Sequence, residues 1–175
     1  MKLPTFARVV TAAILPVGIA LAACQSAAAA AGSNTAASTK VEISAKLTVL
    51  QTAPPVCTAG VCVISNHGKG TLTPYGAVTF TTVVTADTNQ PPCGPGSQWV
   101  NRIIRTITTS KGNLVLHEAG LLCPQPGLGP QVKAVWAADG ADSTGTFAGA
   151  RGQGSDTAYP LKNIAASHGT LTLAP

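Results

Sequence analysis

Ser143-Thr144-Gly145-Thr146-Phe147-Ala148-Gly149-Ala150-Arg151-Gly152 decides how the chain folds. Glycines at 145, 149 and 152 free the backbone for left-handed or closely approached conformations, so the segment reads as a tight corner. Phe147, set between them, is a large apolar plug able to seal one end of a barrel. The sequence on either side of this corner is strand after strand. Residues 41–50 alternate, with Val41, Ile43, Ala45, Leu47 and Val49 on one side and Glu42, Ser44, Lys46 and Thr48 on the other. That is the pattern of a half-buried strand. Further strands are expected at 61–65, 71–73, 77–87, 99–109, 114–119, 131–138 and 164–173. In the stretch 131–138, Val132, Ala134 and Trp136 stand opposite Lys133, Val135 and Ala137. Lys111-Gly112-Asn113 reads as a turn. Helical periodicity is missing outside the first 23 residues, and many short strands in one domain mean a barrel or a sandwich.

Composition narrows the class. The 175 residues carry 11 Lys and Arg against 6 Asp and Glu, a net charge of +5, and only 10% are charged. An apolar fraction of 45% excludes a disordered charged tail, and 18 Gly with 13 Pro stay below the level of a low-complexity chain. The basic residues are too few and too scattered for a nucleic-acid footprint, which needs a clustered stripe. No nucleic-acid partner is expected.

The 143–152 segment closely resembles the Gly-Thr-Gly-x-Phe-x-x-Ala-x-Gly segment of dirigent proteins, and it is similar to segments in allene oxide cyclases and their bacterial relatives. Upstream, Gly70-Thr71-Leu72-Thr73-Pro74-Tyr75-Gly76 also resembles the bacterial members. The resemblance spans residues 41–173. It implies an all-β fold, a single eight-stranded antiparallel calycin-like β-barrel in which Gly145, Phe147, Gly149, Ala150 and Gly152 form the signature corner. Asp142 and Ser143 stand where dirigent proteins have paired glycines. Related barrels cyclise fatty-acid epoxides or steer the coupling of phenolic radicals in an apolar cavity, which implies room here for a small apolar ligand. The motif carries no catalytic residue, and none is transferred. Gly70-Thr71-Leu72-Thr73 recurs as Gly169-Thr170-Leu171-Thr172, as expected if early and last strands lie side by side and leave no edge.

The N-terminus reads as an export signal. Lys2 and Arg8 form a positive head, and residues 9–23 form an apolar stretch broken by Pro16, too short to span a bilayer. Leu21-Ala22-Ala23-Cys24 resembles the lipobox of bacterial lipoproteins, in which the cysteine is lipidated and becomes the new N-terminus. The expected organisation is a signal peptide over 1–23, an Ala/Ser-rich tether over 24–40 and a β-barrel domain over 41–175. Lipid on Cys24 would place the domain on the extracytoplasmic face of a bacterial envelope, with the membrane as its first partner and a homo-oligomer left open.

Four of the 5 cysteines then remain. An even number in an oxidising compartment reads as two disulfides. Cys57 and Cys62 bracket a tight turn, and Cys93 and Cys123 lie in Pro-rich loops, so the expected pairs are 57–62 and 93–123, one of three connectivities. A zinc site would need a Cys-x-x-Cys or a histidine at ligand spacing, and neither is present. No metal or cofactor is expected.

Known catalytic motifs are missing. His67, His117 and His168 are far apart in sequence, and His117 and Glu118, as neighbours on a strand, point to opposite faces. Arg102 and Arg105 also face opposite sides of a regular strand. An inward arginine would need an anionic ligand or a carboxylate such as Glu118 on the adjacent strand. The plainer expectation is that a bulge or strand end leaves both arginines in water. Arg102, Arg105 and Glu118 are the catalytic candidates that remain. Asp139, Asp142 and Asp156 are expected as turn caps, and Trp99, Trp136 and Tyr75 as core.

Three functions are compatible with these features: a binding barrel for a small apolar ligand, a structural envelope protein, and, ranked behind both, an isomerase or cyclase. An open apolar lumen favours the first and a lumen packed with Val, Ile and Phe the second. An open lumen with one paired polar group favours the third.

Overall fold

A computed structural model describes residues 37–89 and 91–175. The expected signal segment, Cys24 and the tether up to residue 36 lie outside the described residues. The elements are β1 (Thr39–Gln51), β2 (Val56–Thr58), β3 (Val61–Thr73), β4 (Gly76–Asp87), β5 (Gln98–Thr109), β6 (Gly112–Gln125), β7 (Gly129–Ala138), β8 (Arg151–Tyr159) and β9 (Ile164–Leu173). Hydrogen bonding runs in the order β1-β9-β8-β7-β6-β5-β4-β3, and β1 pairs with β3 to close the ring. The result is a closed antiparallel barrel of eight strands, with β2 added outside it along β3. Closure leaves the barrel strands no unpaired edge.

Strand pattern sets what faces inward. Ile43, Ala45 and Leu47 are buried on β1 while Glu42, Ser44 and Lys46 are exposed. The repeated tetrapeptides flank this strand from both sides, Thr71 opposite Lys46 and Thr170 opposite Glu42. Two expected short strands, 61–65 and 71–73, are one continuous β3, because Asn66, Gly68 and Gly70 still pair with β4 and keep the period of two. Strand β8 takes in the last of the glycines that read as corner, and it pairs with β9 over its length and with β7 over residues 153–158. Gly152 belongs to this strand and not to the bend. A Cβ there would collide with Leu171 and the Thr170 carbonyl, so it serves close strand approach.

The two ends of the barrel differ. At one end the chain over 139–150 folds across the opening and buries Phe147 completely. Gly145 and Gly149 adopt φ of 61° and 70°, the left-handed turns the corner requires. Tyr75 packs edge-on against the Phe147 ring, with centroids 4.8 Å apart. Ser143 accepts the Val115 N–H at 2.9 Å and donates to the Asp139 carbonyl. Leu72, Ile107, Leu114, Leu116 and Leu171 fill the lumen behind the plug and are fully buried. Each such side chain contributes about 1.5–3 kcal/mol. Trp136 packs against Gly154 and Gly169, and Phe80 against Gly68, where any Cβ would overlap the rings.

The opposite end is stapled. Cys57 pairs with Cys62 across a two-residue turn, Ala59-Gly60, whose φ values of 50° and 80° match the twist of a tight hairpin. Cys93, on the β4–β5 connection, pairs with Cys123 near the end of β6. Both bridges agree with the expected connectivity.

Candidate functional site

The stapled end is open. A cavity of about 290 Å³ runs into the lumen from it. Gln51, Gln98, Tyr159 and Ile164 mark its mouth, at strand ends opposite Phe147, and Val49, Ile64, Val84, Val100, Ile103, Leu122 and Val132 form its walls. Gln131 donates to the Tyr159 hydroxyl at 2.7 Å and fixes that ring at the rim.

A polar belt closes the cavity from below. Asn66 on β3 donates to Thr82 on β4 at 3.2 Å. Thr82 stands opposite Arg105 on β5. The Arg105 side chain is 5% exposed and lies between two carboxylates that are buried as deeply. Its Nη1 and Nη2 donate to Asp156 Oδ1 and Oδ2, both at 3.1 Å. Nη2 also donates to Glu118 Oε2 at 3.3 Å, and Nε lies 2.9 Å from Glu118 Oε1, off the hydrogen-bond line. One fork of the guanidinium is thus occupied end-on and the other side-on, the geometry that suits arginine to planar carboxylates. Ser167 on β9 donates to Asp156 Oδ1, and Phe80 lies beside the guanidinium with its centroid 5.9 Å from Cζ.

Arg105 reaches this position through a bulge. Between Val100 and Ile103 the register of β5 slips, so Asn101 and Arg102 are both exposed while Val100, Ile103, Arg105 and Ile107 are inward. A bulge leaves two consecutive residues outside and changes the inward parity of the residues beyond it. The expectation that a bulge puts both arginines in water holds for Arg102 and fails for Arg105. Asp156 is a second correction. It is no turn cap but an inward residue of β8, carried to the lumen because the corner ends at Ala150 and regular alternation resumes. Glu118 enters the lumen and His117 stays outside, as neighbours on a strand must.

Burial pushes the Glu118 carboxyl up to about 8. Arg105 pulls against that shift and the Asp156 charge adds to it. Burial disfavours the Arg105 charge as well, but Glu118 and Asp156 outweigh it and hold the guanidinium above its ordinary value. At neutral pH the Glu118 carboxyl is therefore held mainly in its protonated form beside the Arg105 cation.

The remaining candidates do not join this site. Asp139 caps its turn through the Ala141 and Asp142 N–H groups at 3.0 and 3.2 Å. Its other oxygen is 3.5 Å from His117 Nε2, and His117, Asp139 and Asp142 cluster at the plugged end, outside the cavity. His67 contacts Thr52 and His168 contacts Ser155, both on the exterior. Trp136 is core, with its Nε1 buried and unpartnered, while Trp99 is 44% exposed beside the bulge and not in the core. Comparison with families of known proteins, with curated proteins and with solved structures gives no match.

Proposed function

We propose that this chain is an extracytoplasmic lipoprotein, held to a bacterial envelope membrane through Cys24, whose dirigent-like barrel binds a small molecule with an apolar body. The observation that carries the binding reading is a cavity open at one end, walled by Val, Ile and Leu and floored by a polar belt. Such pockets bury most of an apolar ligand and orient it through a few fixed polar groups. Two disulfides beside the mouth suit an oxidising compartment. A purely structural role is less well supported, because packing fills only the plugged half of the lumen. Native mass spectrometry of the full oxidised chain, after incubation with host lipid extract, tests the reading. A stoichiometric added mass is expected, and a bare protein across several extracts would refute it.

An isomerase or cyclase is the second reading, and the Arg105–Asp156 pair on the cavity wall favours it. A carboxylate beside a fixed cation is able to move a proton while the guanidinium stabilises developing negative charge. Under this reading the bound mass changes with time, and Arg105→Ala abolishes the change while Arg102→Ala, outside the lumen, leaves it intact.

A further inference from the structure

The charge arithmetic of the floor restricts what the cavity accepts. Resting on the binding reading above, we propose that the ligand is an uncharged amphipathic molecule with a hydroxyl head seated at Arg105 and Asp156, and that anionic amphiphiles such as fatty acids are excluded.

An arginine at the bottom of an apolar cavity would ordinarily capture a carboxylate through two parallel N–H donors. Here both forks are already taken. Asp156 holds the end-on fork through Nη1 and Nη2, and Glu118 holds the side-on fork through Nη2 and Nε. Three of the guanidinium's roughly five N–H groups are hydrogen-bonded. The Nε–H faces Glu118 Oε1 off the bond line, and one N–H on Nη1 is left without a carboxylate. One cation faces two carboxylates, so the local charge is zero when one of them is protonated and negative when neither is. It turns positive only when both carboxyls are protonated. An incoming carboxylate would lose its water, gain a single N–H, and lie against Asp156.

A hydroxyl fits what is left. It accepts from the free Nη1 N–H and donates to Asp156, and both residues border the cavity while Glu118 lies behind them. Asn66 and Thr82 on the same belt offer further neutral partners. A carboxylate cannot donate, so it meets only half of this set. The walls beyond the belt are apolar and take a short alkyl or aryl body.

The test is an NMR titration of the nitrogen-labelled, oxidised full chain near neutral pH with 1-octanol and, separately, octanoate. The readouts are the Arg105 Nε–H and the backbone amides of Thr82 and Asp156. We expect octanol to shift all three with an affinity at least tenfold above that of octanoate. Asp156→Asn removes the negative charge and one of the two acceptors facing Arg105, and the ratio narrows or reverses. Octanoate binding the unmodified chain as well as octanol overturns the inference and leaves cavity binding standing. Neither probe moving the three signals overturns the binding reading together with it. The comparison on the unmodified chain decides the matter even where the variant does not fold.

Discussion

Arg105 and Asp156, 51 residues apart in the chain, meet end-on in the lumen with both nitrogen–oxygen distances at 3.1 Å. The pair ties β5 to β8 across the interior, where no backbone hydrogen bond joins them. It lies at the level where the packed half of the barrel gives way to the open half. A buried network of this kind is expensive to desolvate, so its presence at that level points to use rather than to stability.

Removing the cation alone should therefore be costly. Arg105→Met leaves Glu118 and Asp156 facing each other without a counter-charge, and unfolding in urea should show a loss of about 3–5 kcal/mol. Arg102→Met, exposed on the bulge, should stay within about 0.5 kcal/mol of the parent. Replacing all three members together, as Arg105→Met, Glu118→Leu and Asp156→Leu, should recover most of the loss while ligand retention disappears. A triple variant as unstable as Arg105→Met would show that the network is structural.

Stability should fall as pH rises. The Glu118 carboxyl titrates near 8 in the folded chain and near 4.5 when unfolded. Between those values the native state holds a proton that the unfolded state has released. The contribution is complete below about 4.5 and is lost as pH climbs through about 8. Urea midpoints across that window should decline toward alkaline pH, and Glu118→Gln, which cannot titrate, should flatten the decline. A profile rising with pH would contradict the assignment.

Much of this architecture is legible in the chain. Alternation on β1 and the corner around Phe147 are local patterns, and local patterns survive in sequence. Cys57 and Cys62 sit close enough that a hairpin pairs them. Arg105 is harder to read, because its side depends on a one-residue slip at Asn101 that no composition or period announces. Asp156 sits in a glycine-rich stretch that resembles turn more than strand. Its inward face emerges only once Gly154 and Gly169 are seen as room for Trp136. Charge balance offers no help either, since a lumen holding Arg105 and Glu118 alone requires no second acid.

Those glycines make a prediction of their own. A Cβ on Gly154 would overlap the Trp136 ring and the His168 carbonyl, and neither is free to move far. Gly154→Ala should cost about 1–3 kcal/mol by overpacking, with a changed near-ultraviolet dichroism from the displaced indole. Gly154→Ala combined with Trp136→Leu should regain only part of the loss, because the backbone carbonyl still blocks the methyl. Full recovery would place the whole conflict at the indole.

The two disulfides should differ in weight and in what they protect. Cys57 and Cys62 close a loop of sequence separation 5, and Cys93 and Cys123 one of 30. Loop-closure entropy then assigns about 2 kcal/mol to the first and about 3.5 kcal/mol to the second. The longer bridge anchors the Pro-rich β4–β5 connection to β6 beside the cavity mouth, so its loss should loosen the rim before the barrel. Hydrogen exchange on a Cys93→Ala, Cys123→Ala variant should accelerate at residues 91–100 and 120–125 while β1, β9 and the Phe147 corner keep their protection. Acceleration spread evenly around the barrel would mean that the bridge supports the whole fold and not its open end.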